Sequence, residues 1–142
     1  MGKLLIALVL VFGLEAQLLA CSCVPPDLPE RSRQAARDAV KGAVAIVEVV
    51  ALRDYDFRSG RGERVRVLRT HFGRAPRQFE IARRTSASSA SCDLLLGKGQ
   101  RKTLILYPAG RSRFRIQSLC SDFLVGAPGH LAITLQEARA RR

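Results

Sequence analysis

The sequence predicts a mainly β domain: a five-stranded Greek-key barrel of the oligonucleotide/oligosaccharide-binding kind with two peripheral α-helices. Three observations lead there. Five short runs rich in β-branched and aromatic residues are separated by turn residues. Helix-forming stretches occur only at the two ends of that region. A seven-stranded sandwich needs more strands and a Cys…Trp…Cys pattern, and the chain has no Trp.

The elements follow in order. Pro25-Pro26 forces the residues before them to be extended. Asp27 to Val40 (DLPERSRQAARDAV) reads as a helix with Asp27 as N-cap, ended by Gly42. Ala43 to Leu52 (AVAIVEVVAL) is a long β-branched run, a strand buried on much of both faces. Glu63 to Arg69 alternates, with Val65 and Val67 inward and Arg64 and Arg66 outward. Gly73 to Pro76 is a turn, and Gln78 to Ala82 a short strand with Phe79 and Ile81 inward. Thr103 to Tyr107 and Arg113 to Cys120 are the last strands, joined by a Pro108-Ala109-Gly110 turn. His130 to Arg142 is a second amphipathic helix with a basic end.

The N-terminus reads as an export signal. Met1-Gly2-Lys3 is a basic start, Leu4 to Leu14 an apolar run, and residues 15–20 a more polar stretch ending in Ala20. The apolar run is shorter than the roughly 20 residues a bilayer span needs. Residues 1–20 are thus expected to be a signal peptide and residues 21–142 one secreted domain. Leu18-Leu19-Ala20-Cys21 also resembles a bacterial lipobox, in which Cys21 is lipidated and anchored to the envelope. Lipidation is the one route by which this reading reaches a membrane.

All four cysteines, Cys21, Cys23, Cys92 and Cys120, follow the signal. An even count in a small exported chain suggests disulfides. Cys21 and Cys23 make a poor pair with each other, because so short a loop strains the bridge. Two connectivities remain: 21–92 with 23–120, or 21–120 with 23–92. A zinc site is disfavoured, since Cys92 and Cys120 are isolated and no C-x₂-C knuckle exists.

Cys21-Ser22-Cys23-Val24-Pro25-Pro26 directly after a signal resembles the mature start of the tissue inhibitors of metalloproteinases, whose N-terminal domain is a netrin-like barrel. Lys41 to Leu52, Glu63 to Gly73, Ser91-Cys92 with Leu94 to Gly97, Lys102 to Tyr107, and Leu119 to Phe123 resemble successive segments of that domain. The chain lacks the animal inhibitors' third N-domain disulfide and their cysteine-rich C-terminal domain. The resemblance therefore implies a compact, bacterial-type homologue with bridges Cys21–Cys92 and Cys23–Cys120.

It also implies a function: inhibition of zinc metalloproteases. A catalytic zinc keeps one position open for water. The α-amine and carbonyl oxygen of Cys21 would chelate that zinc and displace the water. Ser22 would enter the pocket beside the metal, and Val24 and Pro25 would lie along the substrate groove. Ala90 and Ser91, tied beside the wedge through Cys92, would be a second contact. No cofactor of the chain's own is implied.

An enzyme is not expected. No G-x-S-x-G motif or paired carboxylates occur, and His71 and His130 stand apart without ligand spacing. There is no Asn, so N-glycosylation is excluded. The net charge is +12, and Arg far outnumbers Lys. Arg64, Arg66 and Arg69, with Arg111, Arg113 and Arg115, are expected to form an outward basic stripe suited to an acidic glycan or an anionic envelope surface. Nucleic acid is disfavoured by export and by the scarcity of aromatics for base stacking.

Overall fold

The run Ala45–Ala51 (AIVEVVA) forms a strand, β1, whose two faces have different fates. Ala45, Val47, Val49 and Ala51 enter one buried cluster, and Ile46 enters another. Glu48 and Val50 are only half-buried. The expected double burial therefore holds at the start of the strand alone, where helices cover it. These features come from a computed structural model that describes Cys23 and residues 29–56, 62–82 and 94–141. The expected signal, residues 1–20, lies outside the described residues.

The other strands are β2 (Glu63–Gly73), β3 (Gln78–Ile81), β4 (Arg101–Pro108) and β5 (Arg113–Ile116). Helix α1 (Pro29–Val40) precedes β1. A 3₁₀ turn (Leu119–Ser121), a one-turn helix α2 (Phe123–Gly126) and helix α3 (Pro128–Arg139) follow β5. The strands close a barrel in the order β1-β2-β3-β5-β4. All neighbours are antiparallel except β3 and β5, which pair in parallel. The fold is thus a mainly β, five-stranded closed barrel with peripheral helices.

The barrel interior holds Val47, Val49, Val65, Phe79, Ile81, Leu94, Leu96, Leu104 and Leu106. Phe79 meets the ring of Phe114 edge-on at 5.0 Å, a geometry aromatic pairs favour. A second cluster joins Ile46 and Ile105 to Val40, Val125 and Ala138 of the helices. Burying each Val, Leu or Ile contributes roughly 1.5–3 kcal/mol. Glu63 is fully buried. Its Oε1 accepts the Leu96 N–H at 2.9 Å, which fixes the segment carrying Leu94 and Leu96 into the barrel.

Several boundaries differ from expectation; β1 is shorter at both ends and β4 longer at both ends. First, β2 runs on to Gly73 and carries two bulges. Ile46 opposes Phe72 while Val47 opposes Thr70, and Glu48 opposes Arg69 while Val49 opposes Val67. His71 and Leu68 are the extra residues. Second, β5 ends at Ile116 rather than Cys120. Gln117 is buried, and its side chain takes over at the strand's end: Oε1 accepts the Ile105 N–H at 2.8 Å and Nε2 donates to Thr103 O at 3.3 Å.

Third, α3 starts at Pro128, two residues before the expected His130, because Pro suits the first helical turn. Helix α1 is described from Pro29. The expected N-cap, Asp27, lies outside the described residues.

The helices are fastened to each other and to the barrel. Arg37 Nε donates to Glu137 Oε2 at 2.9 Å, joining α1 to α3. Thr134 Oγ1 donates to Leu124 O at 2.8 Å, joining α3 to α2. The Tyr107 hydroxyl on β4 donates to Ala39 O at the end of α1. Burial raises the Tyr107 pKa above its ordinary value.

Candidate functional site

The site begins where β5 stops. Because Gln117 turns inward, the chain leaves the barrel wall and folds into the 3₁₀ turn that carries Cys120. Asp122, next in line, ion-pairs through Oδ2 with Lys102 Nζ on β4. Ser118 Oγ and Ser121 Oγ lie 3.5 Å apart across the turn. Cys120 is therefore presented on a short turn held at both ends by the barrel.

Cys23 is disulfide-bonded to Cys120, with Cα atoms 4.9 Å apart and a sequence separation of 97. This fixes the second cysteine of the C-x-C motif beside the C-terminal end of β5. Next to the bridge, an open groove of about 510 Å³ runs between α1 and α2. Its walls are Ala35, Asp38 and Ala39 on one side and Ser121, Phe123 and Leu124 on the other.

Of the residues expected to form the inhibitory wedge, Cys23 and Cys120 are placed and joined. Cys21, Ser22, Val24, Pro25, Ala90, Ser91 and Cys92, and with them the expected Cys21–Cys92 bridge, lie outside the described residues. The chain after Cys92 is again well anchored. Leu94 and Leu96 are core residues. Lys98 N donates to Asp54 Oδ1 at 2.6 Å, and Gly99 N to Ala51 O at 2.8 Å.

Among the described residues no three His, Cys, Asp or Glu side chains gather at metal-binding spacing. His130 is half-buried on α3. Its ring meets Phe123 edge-on at 5.7 Å, and its buried Nδ1 has no hydrogen-bond partner among the described residues.

The expected arginine stripe is divided by the register. Arg64 and Arg113 both pair across strands with Glu80. Glu80 ion-pairs with Arg113 at 3.3 Å and Arg53 at 3.9 Å. Arg115 stands opposite Tyr107. Arg66, on the same side of β2 as Arg64, shares its face with Arg69 and Arg101 across β1. Arg101 was not in the expected stripe. Only the strand register brings it there, and no local pattern in the sequence reports that register.

Comparison with known proteins leaves the geometry to speak for itself: no family model matches the chain, and no curated protein or solved structure matches it.

Proposed function

We propose that the chain is a secreted netrin-like module of the oligonucleotide/oligosaccharide-binding type that inhibits zinc metalloproteases through a free Cys21 N-terminus. The observation that carries this reading is the Cys23–Cys120 bridge. It is one of the two bridges implied by the resemblance to the tissue inhibitors of metalloproteinases. It anchors to the barrel the residue two places from the chelating group. The closed five-strand order with parallel β3 and β5 supports the Greek-key assignment.

The chemistry needs one free α-amine and its own carbonyl oxygen, which together form a five-membered chelate on the open zinc position. The amine must lose its proton to ligate. Its ordinary pKa of about 7.7–8.0 lets the metal recruit it at neutral pH. Ser22 then sits beside the metal, and Val24 and Pro25 follow the substrate groove. Ala90 and Ser91, held by a Cys21–Cys92 bridge, add a second contact. A wedge tied to a rigid barrel loses little freedom on binding, which favours affinity.

The test is cleavage of a fluorogenic peptide by a panel of matrix-type and bacterial zinc proteases. The mature form beginning at Cys21 is expected to inhibit at least one of them. A form with one alanine added before Cys21 is expected to be inactive, because the added residue removes the chelating amine. Equal inhibition by both forms, or none by the mature form, overturns the reading. Intact mass of the mature protein decides between a free and a lipidated Cys21.

A further inference from the structure

The bulge at Leu68 in β2 assembles a basic face that strict alternation would have broken up. Without it, Arg66 would face outward and Arg69 inward. With Leu68 as an extra residue, Arg66 opposes Val50 and Arg69 opposes Glu48, both on the outward side of β1. Across β1's other edge, Val50 also opposes Arg101. Outward rows therefore read Arg101–Val50–Arg66 and Thr103–Glu48–Arg69. The helices cover the far end of the same face, at Ile46, Ile105 and Phe72, and leave these rows open.

Arg66, Arg69 and Arg101 are all exposed. Among the described residues none of the three forms an ion pair. On the β3–β5 side Glu80 pairs with Arg113. On the β4-β1-β2 face the open rows bring three such arginines together with one carboxylate, Glu48 opposite Arg69, in a protein with net charge +12.

We propose that this face binds an acidic polysaccharide, with Arg66, Arg69 and Arg101 each holding a carboxylate or sulfate group. Guanidinium forks match those planar or tetrahedral oxyanions better than an ammonium does. Neighbouring strands lie about 4.8 Å apart, so Arg66 and Arg101, two strands apart, are anchored roughly 10 Å from each other. That rigid spacing suits charges borne at intervals along a linear chain. The open rows carry no aromatic among the described residues, and Phe72 at the far end is packed against the helices, which disfavours single-stranded nucleic acid. Its exposed large apolar side chain is Leu68, too little to insert into a bilayer. The proposal is independent of the inhibitory reading and uses none of its residues.

The test uses the mature protein and two probes, heparin for sulfate and polygalacturonate for carboxylate, with binding followed by calorimetry across a salt series. The triple variant R66Q/R69Q/R101Q is expected to bind about tenfold more weakly. The control R111Q/R113Q/R115Q, which changes net charge equally, is expected to change binding less than about twofold. R66K/R69K/R101K, which keeps the charge and loses the fork, is expected to fall between. Circular dichroism and melting temperature check that each variant folds. Equal weakening by both glutamine triples overturns the proposal, because net charge alone then accounts for binding. Tighter binding to a DNA oligonucleotide or to phosphatidylglycerol vesicles, lost in the same triple, overturns it in favour of that partner.

Discussion

The side chain of Gln117 accepts the backbone N–H of Ile105 at 2.8 Å, and so does the work of a strand residue after β5 has ended. This amide lets the chain turn off the barrel wall without leaving β4 unsatisfied there, and it sets the point from which Cys120 is presented. Replacing Gln117 with Leu keeps the volume and removes both bonds. The buried Ile105 N–H and Thr103 O then lose their partner, at a cost of about 2–3 kcal/mol. Urea unfolding measures this. A loss below about 0.5 kcal/mol would mean the strand end is held by packing alone.

Gly73, at the end of β2, has φ +72° and passes so close to β1 that a Cβ would lie 2.0 Å from Val44 O. Gly42 has φ +78°, but a Cβ there would meet nothing within 4 Å. Alanine at Gly42 should therefore cost only the left-handed backbone penalty, about 1–2 kcal/mol. Alanine at Gly73 carries that same penalty and must also push β1 and β2 apart. Its midpoint in urea should fall well below that of Gly42→Ala. Equal midpoints for the two variants would contradict the close approach of these strands.

Both glycines also show how far the sequence could be read. Turn residues, β-branched runs and the Val65/Val67 alternation locate five strands and their order along the chain, because each is a local signal. Bulges are not local. Nothing in Val67-Leu68-Arg69 says that Leu68 is passed over, since that depends on what β1 offers opposite. For the same reason Arg101 could not be grouped with Arg66 and Arg69. The segment Arg113 to Cys120 alternates well enough to pass for one strand, and only the tertiary demand at Ile105 turns Gln117 inward. The Cys23–Cys120 bridge was legible through the family resemblance, whereas the spacing of the cysteines left two pairings open.

Tyr107 makes stability depend on alkaline pH. Its folded-state pKa is raised by burial above the ordinary value of about 10. Above pH 10 the unfolded chain loses this proton first, so the native state binds more protons than the unfolded one. Stability must then fall as pH rises. The contribution is fully present below the unfolded value and is lost as pH rises through the folded one. Tyr107→Phe should remove that alkaline loss. At neutral pH it should cost about 1 kcal/mol through the lost bond to Ala39 O. Melting temperatures of the two proteins from pH 7 to 11 test this. Parallel curves would show that Tyr107 ionises as freely when folded as when unfolded.

The Cys23–Cys120 bridge links stability to the proposed inhibition, and a double variant separates the two. C23S/C120S opens a loop spanning 97 residues of sequence. By the chain-entropy model this costs about 4.7 kcal/mol, less if a second bridge shares the loop. The barrel core is untouched, and Gln117 and the Lys102–Asp122 pair still hold the 3₁₀ turn in place. The variant should therefore fold to the same strand content with a lower melting temperature. Its N-terminal segment would be less firmly anchored, so binding to a zinc protease would now include the ordering of that segment. Ordering a few side chains and backbone units costs roughly 0.5–1.5 kcal/mol each, so inhibition should weaken by one to several orders of magnitude. Inhibition constants measured below the variant's melting temperature give the answer. Unchanged inhibition in a folded, bridge-free protein would mean that the anchor at Cys120 contributes stability alone and that the wedge, if it acts, is held by other means.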